Sequence, residues 1–521
     1  MWAERLFIDQ RRSFAWALGW VVVLRLALAA LLPITGDEAY YYYWGQWPDW
    51  GYYDHPPMVG WLLAPLTGFG ASRFWIRLPA VLLIIPVAYC VIALARPAGD
   101  RPAYLAGLLV LAAPFEWLNV FITTDTPLVL FSLASVVAYA QAIQAPGVVN
   151  RWYVLAGVLL GAAMASKYFA GLTALGMAAF AALSPRSERR WPGVFVVALC
   201  ALPLPLISLW WNVGNCWTNV MFNLYNRHEG DAASWRKPLA YLVTLAYLAG
   251  PFFLVNIFHA AYVAAHVRFA PARSTAGSQH AHFRLLICVA GVPLAILAAF
   301  SIFKSIGLHW PFAFAPIVFA IGAFVLREAQ VLANLKWLLL LSAGHLLLVG
   351  ALLGLPVETW SGMRFYGGMV LTTQTDALLA ALRPYEADYE FATDGYSDSV
   401  ILSFNSRRYF KVIGEGSSHG RHDDIISDMR SLAGKNVLIL SKTAPRQDEY
   451  EDYFDSFEQR SFLLYGAQFH LVLGRGFRYE AYRDQILDRI REKYYLLPDY
   501  LPQRACYFCE RYFETSTCPT R

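Results

Sequence analysis

The chain has 521 residues, of which 57% are hydrophobic, 16% aromatic and only 15% charged. Soluble domains of this length contain more charged residues, so the composition predicts a membrane protein. The formal net charge is +5, and the basic residues are spread over many short segments instead of forming a stripe. Nucleic acid is therefore excluded as an expected partner.

Nine apolar runs are long enough to cross a hydrocarbon core about 30 Å thick. They lie at 14–33, 78–95, 103–121, 127–145, 192–212, 239–265, 285–303, 309–326 and 337–355. A further apolar stretch, 152–183, is interrupted by Ser166, Lys167 and Tyr168, and its length fits two short helices that meet at the lysine. The sequence therefore predicts a polytopic α-helical protein with about eleven transmembrane helices.

The basic residues predict the orientation of these spans, because Lys and Arg are retained on the cytoplasmic side. They are concentrated in one set of alternate short loops that begins with the N-terminal segment 1–13. No small-residue cleavage site follows the first run, which we interpret as a retained span and not as a signal peptide. We expect a cytoplasmic N-terminus, with the long loops 34–77 and 213–238 on the exterior side.

The composition changes after about residue 370. Segments with strand-like and helix-like patterns alternate there, and the strand-like ones include EFATDG at 390–395, KNVLILS at 435–441 and FHLVLGR at 469–475. We expect residues 1–355 to form the transmembrane domain and residues 356–521 to form a soluble α/β domain on the exterior side.

Three cysteines, Cys506, Cys509 and Cys518, lie near the C-terminus with C-x2-C-x8-C spacing. They could form one disulfide and leave a free thiol, or supply three ligands of a four-ligand zinc site. A fourth ligand is not evident in the sequence.

Ionisable and polar residues that are scattered in sequence fall at the exterior ends of the predicted spans. They are Asp37, Glu38, Asp54, His55, Asp125, Lys167, Asn212, Arg227, His228, Lys304 and His309. Charged groups at membrane depth are costly, so their convergence on one face predicts a functional polar cavity.

The carboxylates have two interpretations each. Asp37 and Glu38, in TGDEAYYYYW, could be a solvated loop pair beside an interfacial aromatic belt, or one of them could be a general base for an incoming hydroxyl. In YYDHPPM, His55 could cap the next helix or serve the site together with Asp54. Asp125, in TTDTPL, could cap a helix start, belong to the site, or do both.

The cations also have two interpretations. Lys167, in ASKY, could reach water as an interfacial lysine or bind an anion. Lys304 and His309 form a similar break in FKSIGLHWP, and Arg227 lies in NRHEG, which could be a solvated loop. Carboxylates facing several cations suit attack of a hydroxyl on a carbon that carries a phosphate leaving group, because phosphate leaves without protonation.

Seven short motifs occur in a fixed order along residues 1–355. They are GDEAYYY at 36–42, YDHPP at 53–57, TDTPL at 124–128, SKY at 166–168, WN at 211–212, NRH at 226–228 and K-x4-HW at 304–310. This ordered set resembles the GT-C glycosyltransferases, in the branch that contains the protein O-mannosyltransferases and the bacterial transferases that add aminoarabinose or galacturonic acid to lipopolysaccharide.

The resemblance implies a GT-C fold in the bacterial inner membrane and a polyprenyl-phosphate sugar donor. The sugar would be transferred on the periplasmic face, with inversion, to a lipid, glycan or protein. Asp37 would be the catalytic carboxylate with Glu38 beside it, Asp125 the second acidic position, and a divalent metal could lie between Asp37 and Asp125. The residues implied in donor or phosphate binding are Asp54, His55, Lys167, Arg227, His228, Lys304 and His309. His55 stands where the aminoarabinose transferases have a lysine.

Two other functions fit some of the same residues. A transporter or flippase of lipid-linked sugars would line its path with these charges, but such proteins usually contain an internal repeat, which the sequence does not show. A glycan ligase or polymerase is expected to have a large exterior loop late in the membrane region and to lack the early Asp-Glu pair. The sequence favours sugar transfer.

Overall fold

The structure is a computed structural model that describes residues 9–185, 190–227, 233–266, 276–446 and 448–520. The chain forms two compact units from discontinuous segments. The first unit comprises Met1–Leu31, Arg77–Leu206 and Gly230–Gly350, and the second comprises Leu32–Ile76, Ile207–Glu229 and Ala351–Arg521.

The first unit is built from apolar helices. Those that lie wholly or mainly in it are Gln10–Leu31, Arg73–Ala95, Asp100–Ala112, Pro114–Leu118, Asp125–Gln144, Arg151–Met164, Ala170–Leu183, Trp191–Ala201, Arg236–Ala249, Pro251–His266, Ala276–Phe300, Ala315–Val325 and Glu328–Gly354. Within the described ranges, five helices are long and apolar enough to cross a membrane, or seven if each of two bent pairs is one span. The chain is thus a multi-pass membrane protein, and the total of eleven spans stays a prediction.

Two predicted spans are broken in the structure by prolines. The run 239–265 divides at Gly250, which has φ +90°, and the two helices on either side are bent by 98°. Pro251 follows and cannot donate a backbone hydrogen bond. The run 103–121 breaks at Ala113, which has ψ 124° because the residue before a proline is pushed out of the helical region.

The predicted division of the stretch 152–183 is confirmed, since helices Arg151–Met164 and Ala170–Leu183 leave Lys167 between them. The first of these helices packs closely on Trp191–Ala201 through Gly157 and Gly161. A Cβ would lie 2.6 Å from the carbonyl oxygen of Val197 at Gly157 and 2.7 Å from that of Ala201 at Gly161. Glycines four residues apart allow the backbones of two membrane helices to come into direct contact.

We expect Gly161→Ala to lower the stability of the protein by roughly 1–3 kcal/mol, because backbone atoms cannot rotate away from the added methyl group. Thermal unfolding of the purified protein in detergent measures the effect. Gly171→Ala is the matched control, since a Cβ there meets nothing within 4 Å and alanine favours a helix over glycine. Equal stability of the two variants would contradict close packing at Gly161.

The second unit combines helices with a small sheet. Its helices are Gly36–Gln46, Met58–Thr67, Thr218–Met221, Tyr366–Thr373, Thr375–Leu382, Tyr396–Ser406, Asp423–Ile426, Tyr479–Tyr482, Asp488–Tyr494 and Tyr507–Phe513, and helix Pro203–Gly214 enters it from the first unit. The strands are β1 (Glu390–Thr393), β2 (Lys411–Val412), β3 (Val437–Ser441), β4 (Phe454–Leu464) and β5 (Ala467–Phe477). They form one sheet in the order β2-β1-β3-β5-β4.

The sheet is parallel on one side and antiparallel on the other. β1 pairs in parallel with β2 and β3, whereas β5 pairs antiparallel with β3 and β4. All five residues of β3 are buried, so this strand carries the core of the sheet. The predicted strand-like segments EFATDG, KNVLILS and FHLVLGR fall on β1, β3 and β5, and a fourth, RRYFKVIG at 407–414, contains β2. The status of residues 356–521 as a separate soluble domain stays a prediction.

Four cysteines form two disulfides in the second unit, Cys216–Cys506 and Cys509–Cys518. The expected single disulfide with a free thiol is therefore wrong, as is the alternative of a zinc site. The missing partner is Cys216, in the predicted exterior loop 213–238. Counting this loop together with the C-terminal segment makes the number of exterior cysteines even, which is the sequence signal for complete pairing.

Candidate functional site

Asp37 lies exposed in the first turn of helix Gly36–Gln46. The TGDE sequence forms a capping box, in which the buried Glu38 carboxylate accepts hydrogen bonds from the amide and the hydroxyl of Thr35, each at 3.1 Å. Glu38 thus holds the start of the helix, and its catalytic role stays a prediction. The positive end of the helix dipole stabilises a carboxylate at Asp37.

A second helix begins beside Asp37. The hydroxyl of Tyr396, the first residue of helix Tyr396–Ser406, donates a hydrogen bond to Asp37 Oδ1 at 3.2 Å. A Cβ on Gly36 would lie 2.2 Å from Ser397 Oγ and 3.3 Å from Ser397 Cα, so a larger residue at position 36 would force the Ser397 side chain to move. The candidate base is therefore oriented by a residue from the C-terminal part of the chain.

Asp54 is buried next to Asp37. Burial raises the pKa of the Asp54 carboxyl to about 7, and the charge of Asp37 adds to the rise, while a backbone hydrogen bond, the Tyr40 hydroxyl and Arg227 lower it. Tyr40 donates to Asp54 Oδ1 at 3.4 Å. The structure thus brings Asp37, Asp54 and Arg227 close enough to interact electrostatically, and it leaves Asp54 half-ionised near neutral pH.

Tyr40 also connects this cluster to His422. The backbone amide of His422 donates to Tyr40 Oη at 3.0 Å, and its ring lies 5.2 Å from the ring of Tyr52. Burial lowers the pKa of the His422 imidazole to about 3, so the ring is neutral at physiological pH. Sequence reasoning missed both Tyr396 and His422, because no local pattern shows that the C-terminal region contacts the Asp37 helix.

His55 and Arg227 meet at an aromatic ring. The Phe222 ring lies 6.5 Å from the ring of His55 and 5.3 Å below the guanidinium of Arg227. His419 packs edge-on against the same ring at 5.1 Å. Two of the residues predicted to bind phosphate therefore contact the same ring, whereas His228 lies outside the described residues.

In the first unit, Asp125 and Lys167 form a buried ion pair. Lys167 Nζ donates to the two carboxylate oxygens of Asp125 at 2.9 and 3.0 Å. Lys167 is 7% exposed and Asp125 is 5% exposed. Asp125 is the first residue of helix Asp125–Gln144. Its carboxylate pairs with the lysine instead of capping the helix.

The segment that contains His309 reaches the Lys167 loop through aromatic contacts. Lys167 Nζ lies 5.6 Å from the Phe169 ring, which contacts the Trp310 ring at 4.8 Å. His309 is exposed beside Trp310, and the partly buried Lys304 follows helix Ala276–Phe300. The structure thus brings Trp310 against the loop that contains Lys167, and the role of Lys304 and His309 in donor binding stays a prediction.

The carboxylates do not fit a divalent metal at Asp125, because the ammonium group of Lys167 occupies the position beside both oxygens that a cation would take. Asp37 lies in the second unit and Asp125 in the first. In the ranges that the structure describes, one group of three potential ligands is close enough to hold an ion, and it consists of the disulfide cysteines Cys506, Cys509 and Cys518. We therefore derive no step through a metal.

We expect Asp54→Asn to stabilise the protein at pH 8 by up to about 4 kcal/mol and to have much less effect at pH 4. The folded-state pKa of about 7 is raised above the unfolded value, so the stability that Asp54 contributes is present below the unfolded pKa and is lost as pH rises through 7. Thermal unfolding in detergent from pH 4 to pH 8 tests this. A constant difference from wild type across that range would contradict the raised pKa.

Comparison with known proteins identifies a family segment and a fold. Residues 54–211 match the family Dolichyl-phosphate-mannose-protein mannosyltransferase. Lipid A galacturonosyltransferase RgtD from Rhizobium johnstonii is 28% identical over 237 residues, which are 43% of this chain and 48% of that protein. The match thus spans about half the length of this curated relative.

Two solved structures of ArnT from Cupriavidus metallidurans are similar over most of the chain. The structure bound to undecaprenyl phosphate has a TM-score of 0.61 at 15% identity, and the apo structure has a TM-score of 0.58 at 16% identity. Each comparison covers 88% of this chain and 97% of ArnT. The resemblance expected from the motifs is thereby confirmed: residues 54–211 are similar to the dolichyl-phosphate-mannose-protein mannosyltransferase family, and the chain has a fold like that of ArnT.

Proposed function

We propose that the chain is a glycosyltransferase that moves a sugar from a polyprenyl-phosphate donor to an acceptor of the bacterial cell envelope. The observation that carries the proposal is the cluster in which the exposed Asp37 carboxylate accepts a hydrogen bond from Tyr396 and interacts electrostatically with Asp54, which also interacts with Arg227. The ArnT-like fold, solved in that protein with undecaprenyl phosphate, supports the donor class. The similarity to RgtD supports lipid A or a related glycan as acceptor.

In the proposed reaction, Asp37 takes the proton from an acceptor hydroxyl as its oxygen attacks the anomeric carbon of the donor sugar. The bond from that carbon to the phosphate oxygen breaks, and the configuration at the anomeric carbon is inverted. Polyprenyl phosphate leaves with one additional negative charge, which Arg227 and His55 stabilise, so a general acid is not required. The hydrogen bond from Tyr396 orients the base.

The remaining predicted site residues have supporting roles in this proposal. Lys167, Lys304 and His309, which lie in the first unit, keep their proposed role in phosphate binding, and Asp125 positions the ammonium group of Lys167. We place the N-terminus in the cytoplasm and residues 356–521 in the periplasm. The two disulfides of the second unit support this orientation, because disulfides persist in the oxidising periplasm and not in the cytoplasm.

Donor turnover in detergent tests the function. We expect the purified protein to release polyprenyl phosphate from its lipid-linked sugar and to glycosylate a lipid A acceptor in micelles. Mass spectrometry of the lipid-linked sugar that co-purifies identifies the donor to supply. Sugar-lipid movement across proteoliposomes without donor cleavage in detergent would overturn the proposal in favour of a flippase, since micelles have no second compartment.

A further inference from the structure

A cavity of about 480 Å³ lies at the carboxyl ends of the parallel strands in the second unit. Its walls are formed by the residues that follow β1, β2 and β3 in the sequence, at Asp394–Asp398, at Ile413–Arg421 and at Lys442. In the strand order β2-β1-β3, the chain passes from β1 to β2 on one side and then crosses to β3 on the other side of β1, so the strand order reverses between β1 and β3. In open sheets, ligands bind at such a switch point outside the carboxyl ends of the strands.

The charges around this cavity favour a neutral or cationic ligand. Its acidic lining residues are Asp394, Asp398, Glu415, Asp423, Asp424 and Glu449. The lining lysine and arginine are already paired, Lys442 with Asp398 and Arg421 with Asp424, each at 2.8 Å. Glu415 is also paired, with Arg489 at 3.0 Å, and burial raises the pKa of the Asp423 carboxyl. The remaining carboxylates, Asp394 and Glu449, repel an anion, so a phosphate or the donor headgroup is not the expected occupant.

The chemistry of the walls fits a sugar. Carboxylate oxygens accept hydrogen bonds from hydroxyl or ammonium groups, and the tyrosines Tyr396, Tyr450 and Tyr482 supply apolar ring surface with a polar edge. The volume lies within the range of small-molecule sites. Among the residues with described positions, no three of these carboxylates are close enough together to hold a metal ion.

Two residues that line the cavity also contact the start of the Asp37 helix. Tyr396 lines the cavity and also donates the hydrogen bond to Asp37, and Ser397 lines the cavity and lies against Gly36. A sugar ring held in the cavity would therefore lie beside the same helix start that orients Asp37. This gives the acceptor a defined position relative to the base.

We propose that this cavity is the acceptor subsite, which binds a neutral sugar or amino sugar of the acceptor glycan and directs one of its hydroxyl groups toward Asp37. The assignment of the bound sugar as acceptor rests on the proposed transferase function. The binding of a sugar in the cavity does not.

Gly395→Leu tests the cavity directly. Gly395 lines it, has extended backbone with φ −152°, and offers open space around a Cβ, so a leucine adds bulk without backbone strain. Saturation-transfer NMR of the full-length protein in detergent measures binding of methyl β-glucoside, glucosamine, galacturonate and methyl phosphate. We expect signals for the first two probes that fall at least fivefold in Gly395→Leu. Gly362→Leu is the matched control, because Gly362 is equally open and does not line the cavity.

Glu449→Lys tests the charge argument independently of packing, because Glu449 is exposed at the rim. We expect this variant to lower the ratio of the glucosamine signal to the galacturonate signal at least threefold. If thermal unfolding shows that Gly395→Leu does not fold, Glu449→Lys still tests the proposal.

The outcomes separate the two proposals. Preference of the wild type for galacturonate or phosphate, or unchanged sugar signals in folded Gly395→Leu, would overturn the subsite while leaving the transferase proposal intact. Sugar binding that depends on Gly395, in a protein that never cleaves its donor, would instead refute the transferase proposal and leave the cavity as a sugar site. An acceptor KM raised at least tenfold in Gly395→Leu, together with lost binding, would support both.

Discussion

Asp37→Asn is expected to lower the rate of sugar transfer by between about 100-fold and 10,000-fold, the range that a general base contributes. Asparagine has the size of aspartate and can still accept the Tyr396 hydrogen bond, but it cannot take a proton from the acceptor hydroxyl. The measurement is the initial rate of glycosylated lipid A formation in micelles at saturating donor. A rate within twofold of wild type would show that Asp37 is not the base.

Two control variants make this result specific. Asp376→Asn changes an exposed acid at the start of helix Thr375–Leu382, the same position in a helix as Asp37, and should leave the rate unchanged. Tyr396→Phe removes only the hydrogen bond that orients Asp37. If Tyr396 has this positioning role, we expect a smaller loss than in Asp37→Asn and a shift in the pH profile.

Asp54 is the alternative base within the same cluster. Its pKa of about 7 suits proton transfer at neutral pH, but the residue is buried, whereas Asp37 is exposed to an incoming acceptor. The charge of Asp37 contributes to the raised pKa of Asp54, so Asp37→Asn is also expected to lower the pKa of Asp54. Loss of transfer in Asp54→Asn with a normal rate in Asp37→Asn would reverse the assignment.

The helices could be predicted because their signal is local. The break at Lys167 was visible as polar residues within an apolar run. The breaks at Ala113 and Gly250 fall inside runs that were predicted as single spans from their hydropathy, because the neighbouring prolines interrupt the helix without making the run less apolar. β4 was missed because it shows no alternation of buried and exposed residues, and nearly all of its positions are at least partly exposed. An edge strand of this kind is defined by its partner β5 and not by its own pattern.

The site could be predicted only for its membrane-proximal residues. The motifs singled out Asp37, Asp54 and Lys167 because each is an ionisable residue at the predicted exterior end of a span, where charge close to the membrane is costly. The contacts of Tyr396 with Asp37 and of His422 with Tyr40 join residues more than 350 positions apart. No periodicity or spacing encodes such contacts, so the contribution of the C-terminal region became visible only in the structure.

Lys167→Met is expected to destabilise the protein by about 3–5 kcal/mol, because it leaves the buried Asp125 carboxylate without its partner. The ammonium group donates to both carboxylate oxygens, so both lose their hydrogen bond. Methionine fills a similar volume and removes only the charge and the donors. Thermal unfolding in detergent gives the loss, and Lys336→Met is the control, since Lys336 is exposed on helix Glu328–Gly354.

The double variant Asp125→Asn with Lys167→Met separates the structural role of the pair from its role in catalysis. Removing both charges is expected to restore most of the stability, because no uncompensated charge remains buried. If Lys167 also contacts the donor phosphate, the KM for the lipid-linked sugar should stay raised in this stable protein. A double variant with wild-type stability and wild-type donor KM would show that the pair only joins the two helix ends, and donor binding would then have to depend on Arg227 and His55.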